Sequence, residues 1–193
     1  MKEIQCYFNF RSPYSYLGVK KALDKKLDLK FIPLCYLPRE VLESFSDPIG
    51  SPYKKSYFFE DIARLFQAEG IKMAANIAGD CNWPKVHAAW LAANDEGFGK
   101  EFMMEAYKFR WELGLNLEDK SVINEICSQI GFDSNISLTA MQDKDFDNRL
   151  KSYTKLMREN QVFGVPTFVY GVERFWGQDR VQYLLKRLKD NEI

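Results

Sequence analysis

Ser12-Pro13-Tyr14-Ser15 stands where an alternating apolar run, Ile4, Cys6, Phe8 and Phe10, gives way to a helical pattern. At such a strand-to-helix junction, disulfide-exchange proteins carry a Cys-x-x-Cys pair, and here both sulfurs are replaced by hydroxyl oxygens. Hydroxyls neither form nor accept a disulfide, so redox exchange at this position is excluded. Two readings remain. Ser followed by Pro is an ordinary pair for the cap and first position of a helix. The same hydroxyl can also donate to an anion, a thiolate for instance, because the unpaired amides of the first turn and the helix dipole favour negative charge there.

Outward from that junction, the first 35 residues read strand (4–9), helix (14–26, with Leu17, Ala22 and Leu23 on one side) and strand (29–34). This is the start of a βαβ unit, whose crossover should be right-handed. From 38 to about 161 the period is helical almost throughout. Tyr57, Phe58, Ile62, Leu65 and Phe66 form a stripe stopped by Gly70; Val86, Trp90 and Leu91 form another stopped by Gly97. Phe102, Ala106, Phe109 and Leu113 precede Gly114; Val122, Ile126 and Ile130 precede Gly131; Phe146, Leu150, Tyr153 and Leu156 follow. Five helices, four of them with glycine stops, are expected. A strand returns at 165–170, with a turn at Gly171, a short extended run at 174–176 and a last helix through Val181, Leu184, Leu185 and Leu188. Two βαβ-type ends therefore enclose a helical middle. Pro166 falls where a strand tolerates proline, at its first residue, and on the residues alone a trans Val165–Pro166 bond is the default.

A chain of 193 residues buries roughly 70 per cent of its unfolded surface, so core size is not limiting. Lys plus Arg and Asp plus Glu both number 27, without a long run of one sign, which argues against nucleic acid or an acidic membrane as partner. No apolar run is long enough to span a bilayer, and the first residues lack a secretory pattern, so a soluble, cytoplasmic protein is expected. Cys6, Cys35, Cys81 and Cys127 are scattered among apolar or helical neighbours and read as buried thiols rather than a disulfide framework. A single histidine, His87, leaves too few ligands for a tetrahedral zinc site and, without a nucleophile motif, no hydrolase triad. It reads as a helix residue between Trp83 and Trp90. The tryptophans Trp83, Trp90, Trp111 and Trp176 could line an aromatic pocket, but aromatic stripes at helical spacing are more often core.

Three segments together resemble the family of 2-hydroxychromene-2-carboxylate isomerases and kappa-class glutathione transferases, on the DsbA branch of the thioredoxin fold. They are Phe8-Asn9-Phe10-Arg11-Ser12-Pro13-Tyr14-Ser15-Tyr16-Leu17; Trp90-Leu91-Ala92-Ala93 through Phe102 to Trp111-Glu112-Leu113-Gly114; and Val162-Phe163-Gly164-Val165-Pro166-Thr167-Phe168 to Phe175-Trp176-Gly177-Gln178-Asp179-Arg180. The resemblance implies an α/β, thioredoxin-like domain (1–37 and 162–193) with a large all-helical insertion (38–161) between the second and third strands. It implies glutathione as cofactor, a small-molecule substrate, and a homodimer. Ser12 would donate to the glutathione sulfur, Val165 would pair with the tripeptide backbone beside a cis Pro166, and Gln178 with Asp179 would hold the γ-glutamyl end, in the stretch Trp176-Gly177-Gln178-Asp179. Lys54, three residues before Tyr57, stands where the kappa enzymes have a ligand-binding lysine; beside Lys55 it also reads as an ordinary surface residue. The chain departs from the family on the substrate side. Phe45 falls at the asparagine of the family's Gly-Asn-x-Pro-Pro loop, Arg39 meets a family basic position only with a one-residue shift, and Asn9 replaces a frequent aspartate.

The expected activity is a glutathione-dependent isomerisation of the 2-hydroxychromene-2-carboxylate type. The alternatives are a kappa-like glutathione transferase, which uses the same thiolate and releases a conjugate, and a non-catalytic thioredoxin-like module that binds a partner in the same groove. Disulfide oxidoreductase comes last, since the junction lacks both sulfurs.

Overall fold

A computed structural model describes residues 2–44 and 50–190. The expectation at Phe45 lies outside these residues. Strand β1 (Ile4–Phe8) pairs in parallel with β2 (Leu29–Pro33) through the crossover helix α1 (Pro13–Asp24), and antiparallel with β3 (Thr167–Tyr170). Strand β4 (Glu173–Trp176) pairs antiparallel with β3, so the sheet runs β2-β1-β3-β4. This is the thioredoxin-like arrangement, with α/β layering. The second end differs from the βαβ unit expected of it: the turn at Gly171 closes a hairpin, and so short a link can join strands only antiparallel. β3 also begins at Thr167 rather than Val165, because Pro166 has no N–H to give to a ladder.

Between β2 and β3 lie α2 (Arg39–Ser44), α3 (Pro52–Ala68), α4 (Trp83–Asp95), α5 (Gly99–Trp111), α6 (Lys120–Ile130), α7 (Ser134–Ala140) and α8 (Lys144–Glu159). The five expected helices are α3, α4, α5, α6 and α8. α2 and α7, of six and seven residues, are too short to write an amphipathic stripe into the sequence. α1, α3 and α4 begin alike, with a polar cap followed by proline in the first turn. The caps Ser12, Ser51 and Asn82 accept from the amides of Ser15, Lys54 and Lys85 at 3.1, 3.2 and 3.4 Å. In α3 the buried stripe is narrower than expected: Ile62 and Phe66 are buried, while Tyr57 faces solvent. After β4, a single 3₁₀ turn (Gln178–Arg180) leads into α9 (Val181–Asp190), which buries Val181 and Leu184.

β1 and β3 are the interior strands and are buried on both faces, so the sheet has two cores. Cys6 and Phe8 point into the larger, which runs without a break into α3, α4, α5 and α6 through Phe66, Trp90, Phe102, Tyr107 and Ile126. Tyr7 points into the smaller, with Ile32, Met157, Val162 and Val169. Trp83, Trp90 and Trp111 are core, as the commoner reading of such stripes has it; Trp176 is 52 % exposed. No helix among the described residues is long and apolar enough to cross a membrane.

Candidate active site

The loop between β1 and α1 is held from several sides. The Asn9 amide group donates to Leu34 O at 2.5 Å, its side-chain oxygen accepts from the Arg11 amide at 2.7 Å, and its backbone oxygen accepts from Ser12 N and from the Tyr107 hydroxyl, at 3.1 and 3.2 Å. Phe10 O accepts from the Trp111 indole at 3.2 Å, and Phe10 N donates to His87 Nε2 at 3.4 Å. His87 Nδ1 lies 2.7 Å from Trp83 O, an acceptor only, so the proton of the neutral ring sits on Nδ1 and Nε2 is free to accept. Burial without a charge partner pushes the His87 pKa down to about 4. His87 is one of the anchors of the loop. Only its helical position was readable from sequence, because Phe10 is its partner 77 residues away.

The anchored loop delivers Ser12 to the start of α1. Ser12 is half-buried, its oxygen accepts the Ser15 amide at 3.1 Å, and its hydroxyl hydrogen meets no acceptor among the described residues. Ser15 is fully buried, and its hydroxyl accepts the Asn9 amide at 3.4 Å. The second oxygen of the junction is therefore structural, and the first retains a donor at a helix N-terminus.

The Val165–Pro166 bond is cis. Pro166 packs against α1 at Gly18, where a Cβ would stand 2.8 Å from Pro166 Cγ and 3.4 Å from Gln178 Cα. One glycine thus lets α1, the proline loop and the 3₁₀ turn meet. Val165 lies just before β3, outside the ladder, so its peptide groups are not committed to the sheet. Gly177 donates its amide to Pro166 O at 2.9 Å and has φ of 113°, a conformation side-chain-bearing residues rarely adopt. Trp176 stacks edge-to-face on Phe163, centroids 4.7 Å apart, and both are half-exposed.

The remaining residues implied by the resemblance are less uniformly placed. Gln178 is buried and its side-chain oxygen accepts from Lys21, which is also ion-paired to Glu69 at 3.0 Å. That oxygen is therefore already used inside the protein. Asp179 is exposed and pairs with its neighbour Arg180. Lys54 is an exposed residue of the first turn of α3, on the stripe that continues to Phe58 and Asp61. Those two touch Tyr14 of α1, Phe58 by ring contact at 5.8 Å and Asp61 by accepting its hydroxyl at 2.9 Å. Lys54 is thus one turn, about 6 Å, from the contact with the start of α1. Arg39 pairs with Glu43 of its own helix at 2.7 Å.

Sequence reasoning passed over one charged group at the junction. Arg11, directly before Ser12, lies 3.3 Å from Asp80, whose other oxygen accepts the Trp83 indole at 2.5 Å. Nearby Arg110 is buried between the rings of Trp83 and Trp111, at 5.3 and 5.8 Å, and donates to Gly79 O and Leu115 O. No signal in the linear sequence joins positions 11, 80 and 110. The four cysteines are unpaired; burial raises all of them, Cys35 to about 12, so none is an activated thiol. Among the described residues no group of three potential ligands could hold a metal ion.

Comparison with known proteins adds the following. The family model for the DSBA-like thioredoxin domain matches residues 3–189. The chain is 23 % identical to a 2-hydroxychromene-2-carboxylate isomerase of Pseudomonas putida over 92 % of its own length and 90 % of the relative's. It is 23 % identical to the enzyme of the same name from Sphingobium xenophagum, over 98 % and 99 %. In three dimensions it superposes on the structure of a 2-hydroxychromene-2-carboxylate isomerase with a TM-score of 0.84 and 21 % identity, covering 97 % of this chain and 94 % of the other.

Proposed function

Since the chain belongs to the DSBA-like thioredoxin domain family, we propose that it is a glutathione-dependent isomerase of the 2-hydroxychromene-2-carboxylate type, acting on an unsaturated aromatic carboxylate. The observation that carries this reading is the Ser12 hydroxyl: a half-buried donor at a helix N-terminus whose hydrogen no described protein acceptor uses. The relatives named for this activity cover the chain almost end to end, and the oxygen-for-sulfur junction removes the disulfide chemistry that the fold otherwise serves.

The residues present fit a tripeptide thiol. Bound glutathione supplies a thiolate, a nucleophile able to add to a conjugated carbon and leave it again, so that a former double bond can rotate meanwhile. Ser12 would donate its hydrogen to the sulfur, and the first-turn amides of α1 would add their partial positive charge, which favours the ionised form over the thiol. Val165 offers peptide groups outside the ladder to the tripeptide backbone. Asp179 offers a carboxylate to its amino end, from a turn set by Gly177. Gln178 contributes by locking that turn to α1 through Lys21. Lys54 would contribute a positive charge from the first turn of α3.

An ultraviolet difference titration with glutathione at neutral pH tests the proposal, with S-methylglutathione as the thiol-blocked control. A saturable thiolate absorbance absent from the control is expected, followed by isomerisation of a chromene carboxylate with glutathione recovered unchanged. Absence of binding would replace the enzyme by a thioredoxin-like binding module. A stable sulfur conjugate as product would make it a transferase.

A further inference from the structure

Arg11 leaves the backbone one residue before Ser12, from a loop whose amides and carbonyls are tied down on both sides. Its side chain is 45 % exposed and forms an ion pair with Asp80; among the described residues no hydrogen bond from the guanidinium accompanies it. Asp80 is itself held in place by the Trp83 indole. The buried guanidinium of Arg110 donates to Gly79 O, one residue before Asp80. Arg11 and Arg110 thus bring two guanidiniums to a segment that carries one carboxylate, Asp80. The Arg11 fork, positioned by Asp80 yet not satisfied by it, has the planar pair of donors that a carboxylate takes bidentately.

We propose that Arg11 is a specificity-determining residue of the site, binding a carboxylate of the molecule seated at Ser12, with Asp80 as the group that orients it. The proposal rests on the function given above only for the identity of the reactants. Two carboxylates could meet the fork: that of the aromatic substrate, or the glycine carboxylate of glutathione.

The experiment compares wild type, Arg11→Gln and Arg11→Lys in equilibrium binding. One series uses 2-hydroxycinnamate, an unsaturated aromatic carboxylate, titrated without glutathione, and its neutral carboxamide. The other uses glutathione and its glycine amide. Arg11→Gln is expected to weaken the acid about ten-fold or more in one series while leaving the matching amide unchanged. Arg11→Lys should recover part of the loss, because it keeps the charge without the fork. The series that responds identifies which carboxylate is read. The melting temperature should not move, because the ion pair is half-exposed, so loss of fold does not imitate the result. Equal binding of acid and amide by the wild type in both series, or acid binding untouched by Arg11→Gln, would overturn the assignment. Arg11-dependent cinnamate binding in a protein without a glutathione thiolate signal would instead overturn only the glutathione reading.

Discussion

At Ser12 a single oxygen has two functions that one substitution separates. Ser12→Ala removes the acceptor of the Ser15 amide, and a lost cap costs about 1 kcal/mol, readable in denaturant unfolding. It also removes the donor, so the pKa of bound glutathione should rise when thiolate absorbance is followed against pH. An unchanged thiol pKa would reduce Ser12 to a cap. His87 makes a second residue-scale prediction. Its folded pKa, about 4, lies below the ordinary value of 6.5, so the unfolded chain takes up the proton first as pH falls. The stabilisation from the neutral ring is complete above pH 6.5 and is lost progressively down to about pH 4. The loss amounts to about 3 kcal/mol. Unfolding free energies at pH 7 and pH 4.5 should therefore fall further apart in the wild type than in His87→Gln; equal differences would mean that the ring takes no part in the acid response.

Among the elements, α1 shows how a helix can be shaped for its neighbours at some expense to itself. Glycine in a helix interior is about 1 kcal/mol worse than alanine, so Gly18→Ala would ordinarily stabilise. Here the new methyl would stand 2.8 Å from Pro166 and 3.4 Å from the backbone of Gln178. Overpacking of this kind costs about 1–3 kcal/mol, so the net effect should be destabilising in chemical denaturation. It should also weaken glutathione, because the proline loop and the 3₁₀ turn are what the helix would push away. A stabilised Gly18→Ala protein would contradict the close approach of α1 to Pro166. Strands and long helices were readable because their periods are local, as was the cap at Ser12, which joins residues three apart. α2 and α7 were not, being too short to carry a period, and neither was the hairpin at the second end, where a turn rather than a crossover decides direction.

For the molecule as a whole, the family and the thioredoxin-like fold were visible in three separated motifs, whereas the surroundings of the junction were not. Ser12 and Pro166 announce themselves by residue type. His87 and Trp111, which fasten Phe10 from 77 and 101 residues away, are recognisable only once α4 and α5 are folded against β1. The same holds for Arg11 and Asp80. Lys54 and Asp179 were named by resemblance, and the structure puts both at the surface, near rather than inside the anchored loop.

Those long-range anchors have a thermodynamic corollary. Because the segment that presents Ser12 is held by α4 and α5, its native shape and the folded state of the helical segment are one equilibrium. A ligand that binds only the native junction adds its binding free energy to the stability of both, by linkage. Occupancy at the mouth of α1 is in that sense felt in the packing around Trp90, whose ring lies against Phe8 of β1.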